Sequence, residues 1–134
     1  MTRSAARLED QIVKWCARML VKAPIAYGLC MSQEMFDDIL DQMEMVSEPY
    51  IEKENFAQVH FIRGKVKTRI VVCIRKTRKS REFIHAALVH EAVHVWQEFQ
   101  RFLGEEKTGD EQEAYCIETI SYNLMRSYKK QAGK

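Results

Sequence analysis

No two of the four cysteines, Cys16, Cys30, Cys73 and Cys116, form a C-x-x-C pair, which removes the pattern of a thiolate zinc clip or a dithiol redox motif. Each lies in an apolar segment, so the expected state is a buried free thiol. No apolar run approaches the length of a membrane span, and the first residues lack the apolar region of a secretory signal, so the expectation is a cytoplasmic protein with no membrane partner. Repeats, low-complexity stretches and linkers are also missing, and residues 1–134 read as a single domain. No histidine follows His94. No acidic residue interrupts the segment 63–81.

What is present suits a soluble globular chain: 134 residues, 46% apolar and 30% charged, enough for a core without disulfide staples. The net charge of +2 hides a polarity along the chain. Nine basic residues fall between Arg63 and Arg81, whereas eight acidic residues between Glu34 and Glu54 are opposed only by Lys53. Such blocks form solvated faces that attract each other within a fold, or, for the basic one, a surface that meets nucleic acid or an acidic partner.

Leu8, Ile12, Trp15, Cys16, Met19 and Leu20 recur at helical spacing, which predicts a helix over residues 4–22 closed by Pro24 and Gly28. Ser32 is an N-cap for a second helix, with Glu34 in its first turn, Met35, Phe36, Ile39, Leu40, Met43 and Val46 on its buried side and Pro49 at its end. From residue 55 the period changes. Val59 and Phe61 flank His60, Gly64 sits in a turn, and Val66, Thr68, Ile70, Val72 and Ile74 alternate with Lys67 and Arg69, which predicts a β-hairpin. Ser80 is the expected N-cap of a long helix stopped by Gly104, and a last helix begins near Asp110. The fold class is α+β in the order ααββαα, with a small antiparallel sheet packed on the long helix.

That long helix carries His90-Glu91-Ala92-Val93-His94, the H-E-x-x-H spacing. Four residues apart on a helix, His90 and His94 stack on one side, where both imidazoles can reach one metal ion. Glu91, offset beside them, can reach a water bound to that ion. A random shuffle of this composition yields the motif about 1% of the time. The alternative is two histidines packed on a buried helix. The apolar neighbours predict a helix buried nearly all round, where the three groups need a partner that a metal supplies.

A catalytic zinc takes a third protein ligand from elsewhere. The lack of any histidine after His94 excludes the metzincin pattern and leaves the carboxylates of the segment 110–115. His90-Glu91-x-x-His94 followed by Glu111-x-Glu113-Ala114-Tyr115 resembles the gluzincin arrangement, and is similar to that of small phage and prophage metallopeptidase-like proteins and, more distantly, ImmA/IrrE-type peptidases. The resemblance implies a minimal zincin-like domain with Glu111 as the third zinc ligand on a C-terminal helix. It places Tyr115 where the family has a residue that orients a zinc-bound histidine. It also implies a hairpin beside the metal helix whose strand, 66–74, pairs with an extended substrate. Asp110 with Glu113 fits a capping box, so Glu113 is assigned to capping, and Glu118 is the remaining carboxylate. Tyr115, Tyr122, His60 and His85 are the groups available to steady an oxyanion.

The function expected on this reading is a zinc-dependent peptidase acting on a peptide or protein substrate, with Glu91 as general base. The alternative is a zinc-stabilised binding module that uses the basic 63–81 block, without any chemistry for Glu91.

Overall fold

Residues 70 to 74 are buried one after another, on both sides of the strand, and the rest of the chain is layered about them. The computed structural model describes residues 25–65, 67–104 and 109–133; the helix expected over 4–22 and the strand position of Val66 lie outside them. The described elements run β1 (Ile25–Cys30), α1 (Gln33–Gln42), β2 (Ala57–Arg63), β3 (Thr68–Ile74), α2 (Arg81–Leu103) and α3 (Asp110–Ala132). The class is α+β, but the described order is βαββαα.

The expected hairpin is β2–β3, antiparallel from Ala57 opposite Ile74 to Arg63 opposite Thr68. The sheet is not purely antiparallel, however. Ile25–Cys30 adds as a third strand, parallel to β3 with Cys30 opposite Cys73, in the order β1-β3-β2. All six residues of β1 are buried. A strand covered on both faces has no polar alternate positions, so its short apolar run carried no strand period. β3 is therefore central, and both its edges are occupied. The strand expected to pair with a substrate has no free edge; among the described residues, β2 is the strand of this hairpin whose outer edge is uncovered.

The two faces of the sheet bury different helices. Tyr27, Leu29, Ile70, Val72 and Ile74 pack beneath α2 and α3, whereas Cys30, Ile62, Val71 and Cys73 pack against Phe36, Ile39 and Leu40 of α1. Each fully buried aliphatic side chain contributes roughly 1.5–3 kcal/mol. The described cysteines, Cys30, Cys73 and Cys116, are free and buried as expected, and burial pushes the Cys73 and Cys116 thiols up.

Helix ends follow local chemistry. Ser32 Oγ accepts the Met35 N–H (3.2 Å) and Ser80 Oγ the Phe83 N–H (3.1 Å), as expected of N-caps. Gly104 ends α2 at φ +74°. α1 stops at Gln42, well before Pro49, leaving Val46 88% exposed instead of buried. Glu44 takes a left-handed φ of 58° there, and the N–H groups of Glu44 and Met45 close on the carbonyls of Asp41 and Leu40. That is a Schellman closure on a residue other than glycine, so nothing in the composition marked it. α3 begins at Asp110, but its N-cap is Gly109 and no side chain caps it. With Gly109 as N-cap, Asp110 is already inside the helix and the capping box does not form; the Glu113 carboxylate accepts the Trp96 indole N–H (3.2 Å).

Two contacts lay α2 along β2. Phe56 meets Phe83 at one end (centroids 5.1 Å apart), and Arg63 pairs with Glu98 at the other (2.8 Å). Seven residues of strand and fifteen of helix both span about 23 Å, so helix and strand run side by side. α3 returns on the other side of α2 and packs on β1. There the Asn123 amide donates to the Tyr27 hydroxyl (2.9 Å) and the Gln131 amide to the Leu29 carbonyl (2.9 Å). No helix among the described residues is long and apolar enough to cross a membrane.

Candidate metal centre

His90 and His94 stand one turn apart on α2, and their rings meet edge to face with centroids 5.1 Å apart. With Glu91 they form a group whose ligand atoms all lie within 4.8 Å of one another. Among the described residues it is the one group of three or more histidine, cysteine, aspartate or glutamate side chains placed to hold a metal ion.

The helix is not buried all round. One flank is open, and it carries both imidazoles exposed, with Val89 beside them. The member that is buried is Glu91, 5% exposed, and its Oε2 has no hydrogen-bond partner among the described residues. Loss of water raises the pKa of this carboxyl, while His90 and His94 pull it back down. The need for a partner falls on the carboxylate, not on the imidazoles. Two exposed nitrogen donors beside a desolvated carboxylate form a donor set that fits a divalent cation.

Gln97, one turn beyond His94, was not singled out in the sequence. Its side-chain oxygen lies 3.0 Å from His94 Nδ1. An amide oxygen there would hold a proton on Nδ1 and leave the Nε2 lone pair for a metal. A polar residue at i+3 from a candidate ligand was the available signal.

The structure does not bring Glu111 to the histidines. Glu111, Tyr115, Glu118 and Tyr122 recur at spacings of four, three and four, which is one stripe of α3, and all four are exposed, Tyr115 at 61%. Glu113 is the acid of this segment that faces α2, and Trp96 holds it. Trp96 marks the α3 flank of the helix; His90 and His94 lie roughly 120° and 160° round from it. Two other expected participants are elsewhere. His60 is on the α1 face of the sheet, with Nε2 2.8 Å from the Tyr50 carbonyl, Nδ1 3.2 Å from Glu48 and its ring against Phe36. His85 sits between α2 and α3.

The histidine flank faces the edge strand instead. His90, His94, Gln97 and Arg101 form one stripe of α2, and the Arg101 guanidinium lies over the Phe61 ring of β2 (6.0 Å). Buried Glu98 accepts from both Arg101 and Arg63, tying helix to strand. The outer backbone of β2 can be read from its ends. Gly64 N–H bonds the Lys67 carbonyl (2.9 Å) and Arg75 N–H the Phe56 carbonyl (3.1 Å). The alternation of an antiparallel pair then turns residues 58, 60 and 62 toward β3, and Val59 and Phe61 outward. Among the described residues no strand covers that edge.

The basic block is divided by the fold. Arg63 joins Glu98, Arg75 braces the carbonyls of Ile51, Glu52 and Asn55, and Lys76, Arg78, Lys79 and Arg81 stay exposed. No protein-family model matches the chain, and comparison with curated proteins and with solved structures likewise gives no match.

Proposed function

We propose that this chain is a metal-dependent peptidase whose metal, zinc on the gluzincin resemblance, is held by His90 and His94. The observation that carries the reading is the close His90–Glu91–His94 group, with a buried carboxylate oxygen that has no hydrogen-bond partner among the described residues. A bound divalent ion would polarise the scissile carbonyl and lower the pKa of a bound water. The residues of the chain do the rest. Glu91, its proton affinity raised by burial, takes the proton of the attacking water and delivers it to the leaving amine. Gln97 keeps His94 in the tautomer that presents Nε2. The outer N–H and C=O groups of Val59 and Phe61 accept an extended peptide as an added strand, the role first expected of β3.

The test is metal content and turnover together. Purified protein should carry one zinc per chain, and His90→Ala and His94→Ala should each lose it. Glu91→Gln should keep the metal and lose about 100-fold or more of its activity on a fluorogenic peptide. Protein without stoichiometric metal, or a Glu91→Gln variant as active as wild type, overturns the reading. Glu111→Ala should leave zinc affinity within about twofold, since an exposed carboxylate outside the histidine group changes little. A loss matching the histidine variants would make Glu111 the third ligand, reached by movement of the first turn of α3.

A further inference from the structure

A second concavity lies on the opposite flank of α2 from the histidine pair. It opens between the first turns of α2 and the C-terminal half of α3 and has a volume of about 540 Å³. Its rim carries Lys79, Arg81, His85, Arg126 and Lys129 together with Tyr122. Ile84, Met125 and the buried Tyr128 form an apolar floor. A neighbouring depression continues past Lys130. Among the described residues no carboxylate lines either one.

This arrangement is not a solvated charge run. The fold gathers cations from two segments far apart in sequence and turns them onto one hollow, where like charges repel. Among the described residues none of Arg81, Arg126, Lys129 and Lys130 is in an ion pair, while the Lys79 ammonium lies over the Phe83 ring at 4.8 Å. The N-terminal end of α2 adds the positive pole of its dipole to the same place. A multiply charged anion relieves all of these at once.

The floor and the tyrosines narrow the ligand further. A small hydrated anion gains nothing from an apolar floor, whereas a phosphate ester bearing a flat ring uses both parts of the hollow. Tyr122 is 58% exposed, and the Arg126 guanidinium lies over its ring at 5.6 Å, which sets a stacking surface beside a charge. The volume falls within the roughly 300–1,000 Å³ of small-molecule sites. We propose that this hollow binds a nucleotide, free or within a single-stranded nucleic acid. The phosphates lie among Arg81, Arg126 and Lys129, and the base lies on Tyr122. The site is independent of the metal reading, because its residues and the histidine pair are on different flanks of α2.

Fluorescence anisotropy with a labelled oligothymidylate of about twelve nucleotides, and calorimetry with ATP, both on the full chain with a chelator present, test this. Saturable binding of both probes identifies the nucleotide as the unit recognised; binding of the oligonucleotide alone assigns the hollow to a strand. Arg126→Glu combined with Lys129→Glu should weaken binding about tenfold or more and flatten the slope of log K against log salt by roughly 1.4. Tyr122→Ala should weaken it at least about fivefold. Lys67→Glu, an exposed cation in the hairpin turn, and Glu91→Gln should each bind within about twofold of wild type. Thermal melts of the exposed-site variants should match wild type. The proposal is overturned if neither probe saturates at low salt, if Lys67→Glu weakens binding as much as the double variant, or if polyglutamate displaces the oligonucleotide as readily as unlabelled oligothymidylate does.

Discussion

Glu91 is the residue at which burial and charge compete. Its carboxylate is buried with one oxygen unpaired, and its proton affinity is raised chiefly by loss of water. A raised carboxyl pKa means that the folded chain binds the proton more tightly than the unfolded one. Stability from this group is therefore present in acid and lost as pH rises from its ordinary value of 4.5 toward the raised one. Glu91→Gln removes the charge but keeps the shape. In metal-free protein at neutral pH it should melt about 3–5 °C higher than wild type, the equivalent of about 1 kcal/mol. The gap should close below pH 4.5, where both side chains are neutral. Calorimetric melts across that range check it, and coincident curves at neutral pH would mean that Glu91 is not desolvated. Added zinc should narrow the gap by giving the ionised carboxylate a counter-charge.

At the scale of elements, α2 and β2 act as a pair. The helix offers the sheet one flank, α3 a second and the strand edge a third, which separates the Trp96–Glu113 contact from His90 and His94. Arg63, Glu98 and Arg101 tie the strand to the helix that carries the histidine stripe. Val59→Pro tests the edge directly. It deletes an outward N–H that no ladder bond uses, so the fold should lose no more than about 1 kcal/mol. If a peptide adds to this edge, KM should rise about tenfold with kcat little changed. Ile62→Pro removes a ladder donor to β3 and should cost about 3 kcal/mol or more. Steady-state kinetics and urea unfolding of the two variants separate the roles, and an unchanged KM for Val59→Pro would take substrate away from this edge.

For the whole molecule, the decisive feature is a sheet buried on both faces. A hairpin lying on one helix would leave Val71 and Cys73 facing solvent; here they meet Phe36, Ile39 and Leu40 of α1. Val71→Thr, equal in shape but with a hydroxyl to bury, should therefore destabilise by about 1–3 kcal/mol in urea titrations. A one-sided sheet predicts a change within about 0.5 kcal/mol. The same layering puts the histidine pair and the basic hollow on opposite flanks of α2, so changes at one should leave the other unaltered.

Patterns of short range were legible before any fold was known. Ser32 and Ser80 as caps, Gly104 as a stop, the β2–β3 hairpin and the approach of His90, Glu91 and His94 all depend on residues within a turn or a tight loop of each other. Backbone geometry alone brings such neighbours together. Burial was not legible in that way. The apolar strand Ile25–Cys30 had no period to betray it, because both its faces are covered by elements remote in sequence. Which side of α2 would stay open, and hence whether Glu111 or Phe61 would share a flank with the histidines, depended on how α3 and β2 dock around the helix. Helical spacing sets the angle between two side chains on one helix but says nothing about what is packed against each. That choice belongs to tertiary packing.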